Sequence, residues 1–185
     1  MGDALPAVDL GPGRTAVSIA AGSFHTCAVL DNGAVKCWGY NGNGQLGLGD
    51  TAFRGDGAGE MGAALPAVAL GTGRTARSLA LGTFSTCALL DDATVKCWGS
   101  NDFGQLGNGS GSSATVGDGP GEMGDSLAAV QLGTGRTTVE LLAGLAHVCA
   151  RLDNATVKCW GRGNHGQLGN GSPSDVGRFA IQMGD

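Results

Sequence analysis

The sequence predicts an all-β chain made of three copies of one unit. Three observations carry this: dense glycine, strict self-repetition, and short apolar runs set between turn residues. Glycine supplies 36 of the 185 residues. Each interior glycine destabilises a helix by about 1 kcal/mol, so helical folds are disfavoured. No Gly-X-Y period is present, which rules out collagen. Met1, Met61, Met123 and Met183 each open a Met-Gly pair, at steps of 60, 62 and 60 residues. Trp38, Trp98 and Trp160 keep the same steps of 60 and 62. A fixed period of this kind is the signature of a repeat architecture.

The units are residues 1–60, 61–122 and 123–182, and residues 183–185 begin a fourth. The two extra residues of the second unit fall in the Gly/Ser-rich stretch 110–121, where a surface loop absorbs them at little cost. Met1 stands in register with the later methionines and need not be a biological start. The chain reads as an excerpt of a longer array, or as one cut at repeat boundaries.

Each unit reads as four short strands. In the first, residues 5–10 (LPAVDL) form a short strand whose proline belongs at a sheet edge. Residues 15–21 (TAVSIAA) follow a Gly-rich turn. Residues 25–30 (HTCAVL) and 34–38 (AVKCW) flank Asp31, Asn32 and Gly33, a three-residue hairpin loop with glycine last. The later units carry Ala93 and Ala155 where Gly33 stands. There Asp92 or Asn154 is expected to take the left-handed backbone position, which Asp and Asn tolerate best among non-glycine residues.

Six cysteines come as Cys27/Cys37, Cys87/Cys97 and Cys149/Cys159, each pair ten residues apart. Centring the hairpin on Asn32 sets Cys27 opposite Cys37. Directly opposed Cβ atoms lie about 4.5–5.5 Å apart, near disulfide reach. Three pairs at the same cross-strand position make a disulfide framework the first reading. It places the chain in an oxidising setting, extracellular or on a cell surface. Six buried thiols in a reducing compartment are the alternative. Zinc is poorer, because structural zinc sites use close Cys-x-x-Cys or Cys/His spacing.

The net charge is −5 and only 15% of residues are charged. No basic patch is available to neutralise phosphate, so nucleic acid is not an expected partner. No apolar run approaches the roughly 20 residues that span a bilayer, so no membrane insertion is expected.

Within each unit the motifs are specific. The first has Gly22–Leu30 (GSFHTCAVL), then Val35–Gly39 (VKCWG), then Asn41–Gly49 (NGNGQLGLG). The second carries Cys97–Gly107 (CWGSNDFGQLG), and the third Cys159–Gly161 (CWG) with Gly166–Gly169 (GQLG). His-Thr-x-x-Leu, Trp-Gly and Gly-Gln-Leu-Gly in this order resemble the repeat of the regulator of chromosome condensation (RCC1) family. The resemblance implies a β-propeller with one blade of four antiparallel strands per repeat. Both faces of a blade would pack on its neighbours, with Trp38, Trp98 and Trp160 wedged between blades. Leu46, Leu106 and Leu168 would lie in the core, and the glycines beside them would let the backbone pass close to the next blade. The paired cysteines and the repeat length depart from most of the family, whose propellers usually close with seven blades. Three blades cannot close a ring. The proline-bearing strand should complete the outer edge of the preceding blade. That leaves complementary open edges, which predict a homo-oligomer, ring or filament.

No nucleophile–base arrangement recurs at a usable spacing, so an enzyme is not expected. His25 and His147 align at the start of the third strand of their units and read as hydrogen-bonding structural groups. The acidic turns Asp56–Glu60 and Asp118–Glu122 sit in matching loops. They offer a weak calcium site beside a reading as solvated turns; no other cofactor is implied. The expected function is a protein-interaction scaffold whose partner the sequence does not name. Contact candidates are positions that vary while the frame stays constant: Phe24 and Phe84 before the third strand, and Tyr40, Ser100 and Arg162 after each Trp-Gly.

Overall fold

A computed structural model describes residues 4–185; the Met1-Gly2 pair lies outside them. Each repeat contributes one antiparallel sheet of three strands in sequential order. The first holds β1 (Ala16–Ala21), β2 (His25–Leu30) and β3 (Val35–Gly39). The second holds β4 (Ala76–Leu81), β5 (Ser85–Leu90) and β6 (Val95–Gly99). The third holds β7 (Thr138–Ala143), β8 (His147–Leu152) and β9 (Val157–Gly161). The three sheets stack as consecutive blades in an open arc.

The β2–β3 register sets Cys27 opposite Cys37, and the same pairing recurs for Cys87/Cys97 and Cys149/Cys159. All three pairs are disulfides, with Cα atoms 4.1 Å apart. The backbone explains the close approach. The Val35 carbonyl accepts from Val68 N (2.8 Å), and Gly39 N donates to the Arg54 carbonyl (2.7 Å), so both face away from β2. Cys37 lies midway and shares their orientation. Cys27 and Cys37 are therefore a non-hydrogen-bonded pair, the closer kind in an antiparallel ladder.

Two expectations are corrected here. The hairpin's left-handed residue is Ala93 (φ 65°) and Ala155 (φ 65°), not Asp92 or Asn154. Each hairpin is a tight turn closed by Gly33 N→Leu30 O or its equivalent, followed by the left-handed position where Gly33 stands. Asp92 and Asn154 are engaged one residue earlier, accepting from the amides of Thr94 and Thr156 (3.1 and 3.2 Å). The alanines must then absorb the turn.

The fourth strand is the second correction. Residues 65–70 do lie along the outer edge of β3, but share only the Val68 N→Val35 O bond with it; Val130 N→Val95 O (2.8 Å) repeats this at β6. The far end of β3 is already occupied, because Arg54 and Gly39 exchange both backbone hydrogen bonds (2.7 and 3.2 Å). A continuous ladder has no room. Lysine takes over part of the fastening: Lys36 Nζ donates to the Gly62 carbonyl (2.6 Å), and Lys96 Nζ to those of Leu70 (3.0 Å) and Gly124 (2.8 Å).

The core lies between blades. Cys27, Val29, Val35, Cys37 and Leu46 of the first blade meet Leu79, Leu81, Ala88, Leu90 and Trp98 of the second. Cys87, Leu89, Val95, Cys97 and Leu106 meet Leu141, Val148, Ala150, Leu152 and Trp160 in the same way. Trp98 Nε1 donates to the Gln45 carbonyl and Trp160 Nε1 to that of Gln105, both at 3.0 Å. The glycine after each Gln-Leu pair makes this approach possible. A Cβ on Gly47 or Gly107 would stand 2.7 Å from the indole nitrogen. Leu46, Leu106 and Leu168 are buried. Trp38 is only half-buried, unlike the wedge expected, because no blade of the described array precedes it.

Candidate functional site

The variable positions come in hydrogen-bonded pairs. Tyr40 N donates to the Phe24 carbonyl (2.9 Å), Ser100 N to that of Phe84 (2.8 Å) and Arg162 N to that of Ala146 (2.9 Å). The residue before β2, β5 or β8 therefore always stands beside the residue after β3, β6 or β9. Stacking of blades then brings neighbouring pairs together on one face of the arc.

On that face the Phe24 and Phe84 rings stack, with centroids 5.6 Å apart and planes 15° apart. Tyr40 packs against both, at 6.3 Å from Phe24 and 5.8 Å from Phe84. A fourth ring, Phe53, lies 4.8 Å from Tyr40. Phe53 was not among the sequence candidates. Its signal is adjacency to Arg54, whose backbone pairs with Gly39 at the end of β3, one residue before Tyr40. Phe24 is 58% exposed and Phe53 43%, so the rings present an apolar surface to solvent.

The surface continues into a cleft of about 260 Å³ lined by Phe84, Ser100, Asp102, Phe103, Leu145 and Arg162. The Arg162 guanidinium lies over the Phe103 ring, 4.8 Å from its centroid, a cation–π arrangement. Phe103 is the second residue the sequence reading missed. Leu145, at the cleft rim, is 74% exposed. Ser100 is corrected from contact to floor. It is 2% exposed, and its hydroxyl accepts from Gln105 Nε2 (3.1 Å) and donates to Asp102 (3.0 Å). A serine side chain is too short to rise to the surface that Tyr40 reaches.

Four of the five phenylalanines and the sole tyrosine thus share this face. Exposed clustered aromatics are costly in water and are typical of sites that desolvate against a partner. The arrangement can grip an apolar or cationic group through ring faces, with Asp102 and Arg162 as polar anchors.

The acidic loops do something else. The Glu60 carboxylate accepts from Gly55 N and Gly57 N (both 2.9 Å), and these bonds, Gly57's first, hold its carboxyl below the usual range. Glu122 accepts from Gly117 N and Gly119 N (both 2.8 Å) in the same way. Each carboxylate is spent on closing its own loop. Among the described residues no helix is long and apolar enough to cross a membrane.

Residues 16–45, 76–105 and 143–167 match the family model of the regulator of chromosome condensation (RCC1) repeat. The E3 ubiquitin-protein ligase HERC2 of Homo sapiens is 30% identical over 166 residues, covering 90% of this chain and 3% of its own length. The ultraviolet-B receptor UVR8 of Arabidopsis thaliana is 30% identical over 159 residues, covering 85% of this chain and 32% of the receptor. Among solved structures, Prp20p of Saccharomyces cerevisiae, studied for its binding to Gsp1p and histones, superimposes with a TM-score of 0.66. Identity is 22%, over 89% of this chain and 37% of Prp20p. Yeast RCC1 (Prp20) bound to Kap60 gives a TM-score of 0.63 at 20% identity, over 92% of this chain and 37% of that one. The chain thus spans about a third, or much less, of the length of these proteins. The motifs, the blade geometry and the three family matches agree: the chain is an array of three RCC1 repeats and belongs to the RCC1 repeat family.

Proposed function

We propose that this chain is a protein-binding scaffold working in an extracellular or cell-surface setting, and that it binds its partner through the aromatic face. The observation that carries this reading is the contiguous surface of Phe24, Tyr40, Phe53 and Phe84. Rigid blades hold the rings apart from the core, so the face is preorganised and loses little entropy on binding. Its chemistry is recognition, with the rings filling a partner's pockets, rather than turnover of a substrate. Yeast RCC1 (Prp20), similar to this chain in fold, was solved bound to a protein, Kap60. The three disulfides support the oxidising location, since such bonds persist where thiols are not kept reduced.

The test is a random peptide display library panned on the folded chain, with recovered peptides measured against Phe24→Ser/Tyr40→Ser. Both side chains are solvent-facing, so the variant keeps its fold. Loss of hot-spot rings should weaken binding at least tenfold, or about 1.4 kcal/mol. Peptides that bind the variant and the unaltered chain equally would place the binding surface elsewhere.

A further inference from the structure

The joint between blades is built twice from matching positions, but with different side chains. At the first joint the Tyr40 ring lies 6.3 Å from Phe24 of its own blade and 5.8 Å from Phe84 of the next. Its hydroxyl rests against the backbone of Gly42, where a Cβ would stand 2.2 Å from the phenol oxygen. At the second joint Ser100 takes the place of Tyr40, and Ala146 that of Phe84. Both rings are gone, while Phe84 keeps the place that Phe24 holds at the first joint. The cleft of about 260 Å³ lies at this joint, and its lining comes wholly from the second and third blades. It therefore does not depend on either end of the array.

The lining has the chemistry of a seat for one ring that carries a donor. A cavity of about 150 Å³ already accepts benzene, so there is room for a phenol. Phe84 and Leu145 supply apolar walls. The floor is settled. The Ser100 hydroxyl donates to Asp102 Oδ2 (3.0 Å) and accepts from Gln105 Nε2 (3.1 Å). In the blade that carries Tyr40, the matching Gln45 Nε2 has no hydrogen-bond partner. Asp102 stands where Gly42 lies beneath the Tyr40 hydroxyl, and Arg178 fastens its loop by donating to the Asp102 carbonyl. A ring entering from outside therefore rests above Asp102, with its hydroxyl at the carboxylate. A cation is the poorer occupant, because the Arg162 guanidinium already covers Phe103 and repels a second positive charge. A plain phenyl ring would cover the carboxylate without pairing it.

We propose that this cleft receives a tyrosine side chain of the partner, its ring against Phe84 and Leu145 and its hydroxyl donating to Asp102. At the first joint the chain fills the matching seat with its own Tyr40; at the second the seat is left for a ring from outside. The proposal rests on the aromatic face being the binding surface and adds the residue that the partner inserts there.

N-acetyltyrosine amide, titrated into the folded, isotope-labelled chain and followed by backbone amide shifts, tests this. Saturable shifts should centre on Phe84, Ser100, Asp102 and Leu145. N-acetylphenylalanine amide should bind about fivefold more weakly, for want of the hydrogen bond. Asp102→Ala alters only an exposed side chain and should remove that preference. Ser100→Tyr/Asp102→Gly rebuilds the first blade's own pair and should close the cleft to both amides. The same spectra report whether each variant keeps its fold. Absent shifts, or shifts centred elsewhere, overturn the proposal. So does phenylalanine binding as tightly as tyrosine, or a preference that survives Asp102→Ala. If display peptides lose binding to Phe24→Ser/Tyr40→Ser while the tyrosine amide finds no seat, the aromatic face stands and only the tyrosine seat falls. Peptides indifferent to that variant, with the amide seated in the cleft, would remove the first-blade rings from the binding surface and leave the tyrosine seat.

Discussion

His25 is the ionisable side chain with the most to lose from a change in pH. It is 3% exposed, and its Nε2 lies 2.8 Å from Thr86 Oγ1. The Thr86 hydroxyl proton is committed to the Gln45 carbonyl (2.8 Å), so His25 Nε2 must carry the donor hydrogen. Nδ1 is then a bare lone pair, and it has no hydrogen-bond partner. Protonation would bury both a charge and an unpaired N–H, and burial pushes the pKa down to about 4 from 6.5. On acidification the unfolded chain takes up the proton first. The stabilisation is intact above pH 6.5, falls as pH drops toward 4, and levels off below that. At 1.36 kcal/mol per unit the loss is on the order of 3 kcal/mol. His25→Ser, which installs the residue found at Ser85, should flatten this part of the curve in urea titrations across that window. The histidine's place was legible from its alignment with His147. Its protonation state was not, because that depends on a hydroxyl contributed by the next blade.

At the scale of the hairpin, each disulfide closes a short loop, and chain-entropy arguments give about 2–3 kcal/mol per bridge. Cys87→Ala/Cys97→Ala should lower stability by about that amount, read as a drop in the urea midpoint. The three bridges are not equally accessible. Cys27 and Cys37 are fully buried and Cys87 and Cys97 nearly so, whereas Cys149 and Cys159 are half-buried. Under native conditions a reductant pulse followed by alkylation and mass mapping should label Cys149 and Cys159 first, since exchange needs access to sulfur. Random labelling of the three pairs would contradict the buried placement. The cysteine register was readable because spacing about a hairpin centre determines which residues oppose each other. The missing fourth strand was not. Whether residues 65–70 form a ladder depends on Arg54 having already claimed the far end of β3, a contact no local pattern reveals.

Across the whole molecule, identical motifs meet different fates. Trp98 is 0% exposed and donates to Gln45, while Trp38 is half-buried at the open end. Trp98→Ala should cost about 3–5 kcal/mol, as expected for emptying a packed indole site. Trp38→Ala should cost less than half as much in the same denaturation assay. Equal losses would mean that stability resides within blades rather than between them. The same logic explains the strands: β5 is buried along its whole length, β1 is largely exposed, and β8 alternates. These are matching segments of near-copies, so their burial reflects position in the array.

Sequence periodicity alone was enough for the repeat, the hairpins and the cysteine register, because each follows from chain spacing within one unit. The aromatic face needed the folded array. Phe24 and Phe84 are 60 residues apart, and Phe103 and Arg162 are 59 apart. They touch only because one blade is stacked on the next.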